Sequence, residues 1–331
     1  MFTDNIYHHS IWRQEVDMRL KNLSQWLEER DLLTPDVRSQ LERIQLQNRS
    51  DKIMVAFVAE FSRGKSELIN AIFFAGYGRR IMPASAGRTT MCPTELGYDA
   101  RDTICLRLLP IETRLSPQSL VEWRLVPEQW TKVDLNVNDP EQLVAAMSKV
   151  AETIEVTEEQ ARALGFWHDN AADNPIPNDK GLVEVPRWRH ARINMDHPLL
   201  RQGLIILDTP GLNAIGAEPE LTMSLIPQAQ AVVFLLATDT GVTASDLTIW
   251  KESLAGASDD ASRFVVLNKI DTLWDALSTP QQVEKQIEQQ RVESARILGL
   301  TEDRVMAVSA QKGLQAKVKG DAELLKSSRL D

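Results

Sequence analysis

The spacing of apolar positions changes along this chain. Between residues 10 and 30, Trp12, Val16, Leu20, Leu23 and Leu27 recur every three or four residues with charges between them. That spacing predicts an amphipathic helix. Thr34-Pro35-Asp36 reads as the start of a second helix, a capping hydroxyl followed by proline in the first turn, and Val37, Leu41 and Ile44 continue it. At residue 53 the pattern switches. IMVAFV (53–58) is a continuous apolar, β-branched run of strand length, as expected of a strand covered on both faces. A helix is predicted over residues 66–74, a loop over 76–87, and a strand at ICLRLL (104–109). Asp139-Pro140 opens a helix to residue 150, Thr157 caps another to residue 164, and the polar stretch 169–181 is expected to be a loosely ordered loop.

The second half alternates strand and helix. LIILD (204–208), AVVFLLA (231–237), FVVLN (264–268) and VMAVSA (305–310) have strand length, and helices are predicted over 245–254 and from Thr279-Pro280 onward, with Val283, Ile287, Ala295 and Leu298 on one side. This alternation predicts an α/β fold with a mostly parallel central sheet and helices on both faces. Residues 316–331 read as the start of a helix with no stop signal, so the chain is expected to be part of a longer protein.

Composition narrows the function classes. The chain has 331 residues, 43% apolar and 25% charged, with a net charge of -10. An acidic balance argues against nucleic acid as a partner through bulk charge. Cys92 and Cys105 form no disulfide framework, and with five histidines they form no ligand motif, which places the chain in a reducing, cytoplasmic setting. The N-terminus lacks a signal-peptide pattern, and no apolar window reaches the ~18 residues a membrane span needs.

Chemistry-bearing residues cluster at the ends of the predicted strands. VAEFSRGKSELINA (58–71) places Gly64, Lys65 and Ser66 between a strand and a helix. Backbone N–H groups at a helix N-terminus favour phosphate, a lysine supplies a point charge for β/γ-phosphates, and a serine hydroxyl suits Mg²⁺. A first glycine is replaced by Ala59, tolerable where φ stays negative. LDTPGLN (207–213) ends a strand with Asp208, a candidate for Mg²⁺ through water, and offers the Gly211 N–H to a γ-phosphate. NKID (268–271) follows a third strand. The Asp271 carboxylate matches the two donors of guanine, with Asn268 buttressing the loop and the Lys269 stem covering the base. SAQKG (309–313) could offer backbone N–H groups to the guanine carbonyl. Each stretch also has an ordinary reading: a chance GKS, a Pro-Gly turn, charged loops. Their order, each at the carboxyl end of a predicted strand, favours one ligand edge of an open sheet.

This order resembles that of the P-loop GTPases between residues 52 and 313, and within them most closely the dynamin superfamily, especially its bacterial members. FSRGKSELINAI resembles their phosphate loop, GRTTMCPTEL (87–96) their first switch and DTPGLN their second. The resemblance implies a Ras-like core extended by a large insert between the switches. It also implies an N-terminal helical neck (1–50), a GTPase domain (51–315) and the start of a C-terminal helix (316–331). It implies GTP/GDP and Mg²⁺ as cofactors. The nucleotide would lie along Glu60, Phe61, Ser62, Arg63, Gly64, Lys65, Ser66 and Glu67, then Gly211, Asn268, Lys269, Asp271, Ser309, Ala310 and Gln311. Ser66, Thr90 and Asp208 would serve the metal, and Ser62, Arg63, Lys65 and Thr90 catalysis. Thr90 is the best match to the first-switch threonine, with Thr89 next.

Two departures stand out. Ala59 replaces a glycine, and Phe61 replaces a polar residue of the dynamins proper. Arg63 is either an arginine finger, in cis or across a dimer, or else a solvated surface charge or a structural ion pair. No glutamine follows DTPG to orient water, which implies a machine completed by homodimerisation through the nucleotide face. Higher oligomers and peripheral membrane contact would come through segments outside this chain. The implied function is dimerisation-stimulated GTP hydrolysis coupled to membrane remodelling. The alternatives are a regulatory switch acting on a protein partner without membrane work, and a nucleotide-binding scaffold without hydrolysis. Trp123, Trp130, Trp167 and Trp188 all fall in the insert, where packing onto the core is favoured over partner anchoring.

Overall fold

The computed structural model describes residues 2–30, 32–34, 37–38, 41, 44, 52–83, 92–169, 174–209, 225–254, 262–275 and 277–331. In chain order its strands are β1 (Ile53–Ala59), β2 (Thr94–Gly97), β3 (Cys105–Pro110), β4 (Thr131–Asp134), β5 (Thr153–Thr157) and β6 (Leu182–Pro186). They continue with β7 (Trp188–Asn194), β8 (Leu204–Asp208), β9 (Ala231–Ala237), β10 (Arg263–Asn268) and β11 (Val305–Ala307). The main helices are α1 (Phe2–Glu28), α2 (Lys65–Ile69), α3 (Pro140–Ser148), α4 (Glu158–Ala163), α5 (Ala244–Thr248), α6 (Pro280–Leu298), α7 (Ala310–Lys319) and α8 (Ala322–Ser328).

Nine strands form one sheet in the order β11-β10-β9-β1-β8-β2-β7-β3-β4. The first five run parallel, as the apolar strand runs predict. β1 is central, and its side chains alternate between two cores as a period of two requires. Phe57 and Ala59 join one cluster with Leu68, Ile69, Phe73 and Phe74 from α2 and its continuation. Ala56 and Val58 join the other, with Trp250, Ile287 and Leu298. Burial on both faces explains why IMVAFVA shows no polar alternation.

The strand predicted at 104–109 forms as β3, and the insert adds strands β2, β4, β5, β6 and β7 that the sequence reading did not assign. β2 pairs antiparallel with β8, and β7 then adds parallel to β2. β3 and β4 extend the edge antiparallel. β5 and β6 form a separate hairpin whose inward residues share a small core with α4. Trp130 and Trp188 are buried, and their indole N–H groups donate to the Trp123 and Lys149 carbonyls at 2.8 Å, so these two serve packing.

Two expectations need correction. The strand predicted over 305–310 stops at Ala307, because Ser309 turns its side chain to cap α7. The predicted terminal helix is two helices: α7 runs across residue 316 to Gly320, and α8 closes at Ser328 with Arg329 left-handed (φ 58°). Leu330 packs against the main core. The first N-terminal helix is present as α1, whereas most of the second falls outside the described residues. No helix among the described residues is long and apolar enough to cross a membrane.

Candidate functional site

The parallel strands β1, β8 and β10 end at one edge of the sheet, and there the sequence motifs meet. β1 passes into the loop 60–64 and then α2. Ala59 lies within β1, paired to Leu235 and buried, so an extended backbone is all it needs and alanine fits. Left-handed backbone falls instead on Ser62 (φ 62°) and Gly64 (φ 85°). At Gly64 a side chain is excluded twice. The backbone is left-handed, and a Cβ would come 2.3 Å from Asn268 Nδ2.

Asn268 explains that proximity. It ends β10, fully buried, and its Nδ2 donates to the Arg63 carbonyl at 2.9 Å while its Oδ1 accepts from the Ala310 amide at 2.9 Å. One side chain thus joins the loops that follow β1, β10 and β11. Ser309 Oγ donates to Asp271 Oδ1 at 2.6 Å and orients that carboxylate. Lys269 is left-handed (φ 64°), and its ammonium lies 3.3 Å from Asp239. The amides of Ser309 and Ala310 are both committed, to Ser328 and Asn268, so the expected donation of these two to a guanine carbonyl needs correction. Gln311 is exposed.

Lys65 heads α2 and is buried, donating to Asp208 Oδ1 and to the Thr209 carbonyl. Asp208 ends β8 at 2% exposure, and its Oδ2 has no hydrogen-bond partner among the described residues. A buried carboxylate oxygen without a donor is costly and suits a hard cation. Ser66 sits half-buried in the first turn of α2. Thr94, where the first-switch segment enters β2, stands opposite Asp208 in the ladder. Thr90 and Gly211 lie outside the described residues.

Of the readings the sequence leaves open, the structure displays the ion pair for Arg63. Its guanidinium is 6% exposed and paired to Glu60 at 2.7 Å and to Asp246 at 2.9 Å, with Thr240 and Thr243 accepting further bonds. Arg63 is thus held between two carboxylates, the arrangement of a structural ion pair. Asp246 is also the N3 residue of the capping box of α5. The box is legible in the sequence; its reach to Arg63 is not. Glu67 turns away from the loop to form a two-pronged bond with Arg80 at 2.6 and 2.7 Å. Phe61 and Ser62 are exposed.

Two further sets escape motif reading. Asn70, fully buried, bonds the Ile81 and Met82 amides and the Met82 carbonyl, each at 2.9 Å, anchoring the chain before the first-switch segment. Glu95 on β2 is buried against Arg124, His190 and Arg192. Burial by itself would raise its carboxyl, but the hydrogen bond from His190 and the charges of His190, Arg124 and Arg192 outweigh that and hold it at about 2. Neither Asn nor Glu within an ordinary helix or strand carries a spacing signal.

A model of the dynamin family matches residues 55–270. Among solved structures, an oligomerised bacterial dynamin pair, described as providing a mechanism for long-range sensing and tethering of membranes, is 14% identical with a TM-score of 0.47. The match covers 96% of this chain and 42% of that one. LeoA, a bacterial dynamin GTPase from ETEC, is 14% identical with a TM-score of 0.48, over 98% and 43%. Era in complex with MgGDPNP and a 16S ribosomal RNA segment is 17% identical with a TM-score of 0.35, over 82% and 55%. No curated protein matches. The chain therefore spans about half the length of the structures it resembles, or less.

Proposed function

The chain belongs to the dynamin family, and from this premise we propose that it binds GTP with Mg²⁺, hydrolyses it faster on dimerisation, and couples hydrolysis to membrane remodelling. The observation that carries the proposal is Asn268, which stitches the phosphate loop at Arg63 to the base loop at Ala310. A residue with that double role makes one cradle of two half-sites, one suited to phosphates and one to a guanine edge. The Gly64 turn and the head of α2 direct backbone N–H groups at the phosphates, and Lys65 brings its charge to the β/γ-phosphates. Asp271, steadied by Ser309, accepts from the two guanine donors. Ser66 and Asp208 would hold Mg²⁺, which neutralises charge on the transferring phosphoryl group. Ser62, exposed on its left-handed turn, is free to bond the β–γ bridging oxygen.

With Arg63 locked in an ion pair, the missing transition-state charge and water-positioning group fall to a second copy facing the nucleotide. Phe61 is 42% exposed beside the loop and available to that contact. The test is specific GTPase activity against protein concentration. A rise between nanomolar and tens of micromolar is expected. A flat, measurable rate over that range would refute dimer stimulation and favour a regulatory switch. Bound GTP without phosphate release at any concentration would refute hydrolysis.

A further inference from the structure

We propose that α8 and the turn after it are a positioning element for the guanine-reading loop, acting through Ser328 and Leu330 on Ser309. The inference rests on the guanine assignment of Asp271 made above. Ser309 is fully buried, caps α7 and is bonded both to the Asp271 loop and to the end of α8. Its Oγ donates to Asp271 Oδ1 at 2.6 Å and accepts from the Lys312 amide at 3.2 Å, while its own amide donates to the Ser328 carbonyl at 2.9 Å. The residue that orients the base-reading carboxylate is therefore held at its backbone by the last helix.

The docking of that helix is built, not incidental. Gly313 lies within α7 and has no left-handed backbone to account for it. A glycine there weakens the helix relative to alanine. What requires it is proximity: a Cβ would come 2.5 Å from Leu330 Cδ1 and 3.1 Å from Ser328 Oγ. Leu330 in turn packs against the cluster that contains Val308 and Ala310. Between these two contacts Arg329 takes the left-handed turn that brings Leu330 back, and its guanidinium pairs with Glu284 of α6 at 2.6 Å. Ser328 Oγ closes the helix by donating to the Leu325 carbonyl at 2.6 Å. α8 is thus seated on α7 and moored to α6, with its last carbonyl on Ser309.

Recognition of guanine by a carboxylate needs two parallel hydrogen bonds, and these weaken steeply with misalignment. If α8 shifts, the Ser309 amide loses its acceptor and Asp271 loses its fixed rotamer. Lys65 ties the phosphate loop to the end of β8 independently of α8, so the loss falls on base recognition before phosphate binding.

The experiment compares Leu330→Ala, Gly313→Ala and Leu330→Met with the wild-type chain. It reads dissociation of a fluorescent GDP analogue, the GDP-over-ADP affinity ratio by competition, and the melting temperature. Leu330→Ala and Gly313→Ala are expected to speed GDP release by about tenfold, the loss of one hydrogen bond's worth of alignment. They should narrow the GDP-over-ADP ratio by a similar factor with ADP affinity unchanged. Leu330→Met, which keeps volume, should restore both. An unchanged ratio in both disruptive variants, or an equal loss of GDP and ADP affinity with a lowered melting temperature, overturns the inference and leaves the guanine assignment standing. A wild-type chain with no preference for GDP over ADP sinks the guanine assignment itself, and this inference with it.

Discussion

Gly64→Ala tests the construction of the site at its tightest point. The backbone there has φ 85°, and left-handed backbone costs a residue with a Cβ roughly 1–2 kcal/mol. The added carbon would sit 2.3 Å from Asn268 Nδ2, so Asn268 must move. Asn268 is buried and makes two bonds of 2.9 Å, to the Arg63 carbonyl and from the Ala310 amide. Stranding a buried partner costs about 1–3 kcal/mol. The sum is roughly 2–5 kcal/mol, shared between folding of the loop and nucleotide binding, and the part borne by binding lowers GDP affinity about tenfold for each 1.4 kcal/mol. Fluorescent GDP titration and thermal melting measure it. A double-mutant cycle with Asn268→Ala separates the two causes. With the Asn268 side chain gone the clash disappears, and Gly64→Ala should then cost only the backbone share. A Gly64→Ala protein that binds GDP within about threefold of wild type, at an unchanged melting temperature, would refute the close approach on which the site is built.

Asp271→Asn replaces a pair of acceptors by one acceptor and one donor, so GTP affinity should fall while xanthosine triphosphate gains; unchanged GTP affinity removes Asp271 from base recognition. Arg63→Ala should destabilise the chain by roughly 3–5 kcal/mol in urea unfolding, because Asp246, with no exposed surface, loses its counter-charge. A stable Arg63→Ala protein with normal GDP binding and slow hydrolysis would instead restore the finger. The Glu95 carboxyl is held at about 2, below its ordinary value of 4.5. Its stabilisation, roughly 3 kcal/mol, is therefore fully present above about pH 5 and lost as pH falls toward 2. Urea midpoints of wild type and Glu95→Gln should converge over that window, and parallel curves would show that the charge contributes nothing.

What the chain alone determined follows from local physics. The unbroken apolar runs of β1, β8, β9 and β10 cannot be satisfied except in a sheet covered on both faces, which dictates parallel order and places Lys65, Asp208, Asn268 and Asp271 at one edge. The Thr279 and Thr157 caps and the Pro-bearing first turns marked helix starts, because a cap bonds amides two or three residues away. Everything decided by side chains far apart in sequence came only with the tertiary structure. The insert strands β2 and β4 are short and β7 is mixed in composition, and their pairing depends on partners rather than on their own pattern. Arg63 is a finger or a buried strut by composition alike; only the fold brings Asp246, on another strand's connection, against it. Asn268 reads as a loop buttress, yet what it holds, and why Gly64 can bear no side chain, exist only where three strand ends converge. Ser309 looks like the end of a strand until α8 returns to take its amide. Local pattern chose the elements, and long-range contact chose what each functional side chain faces.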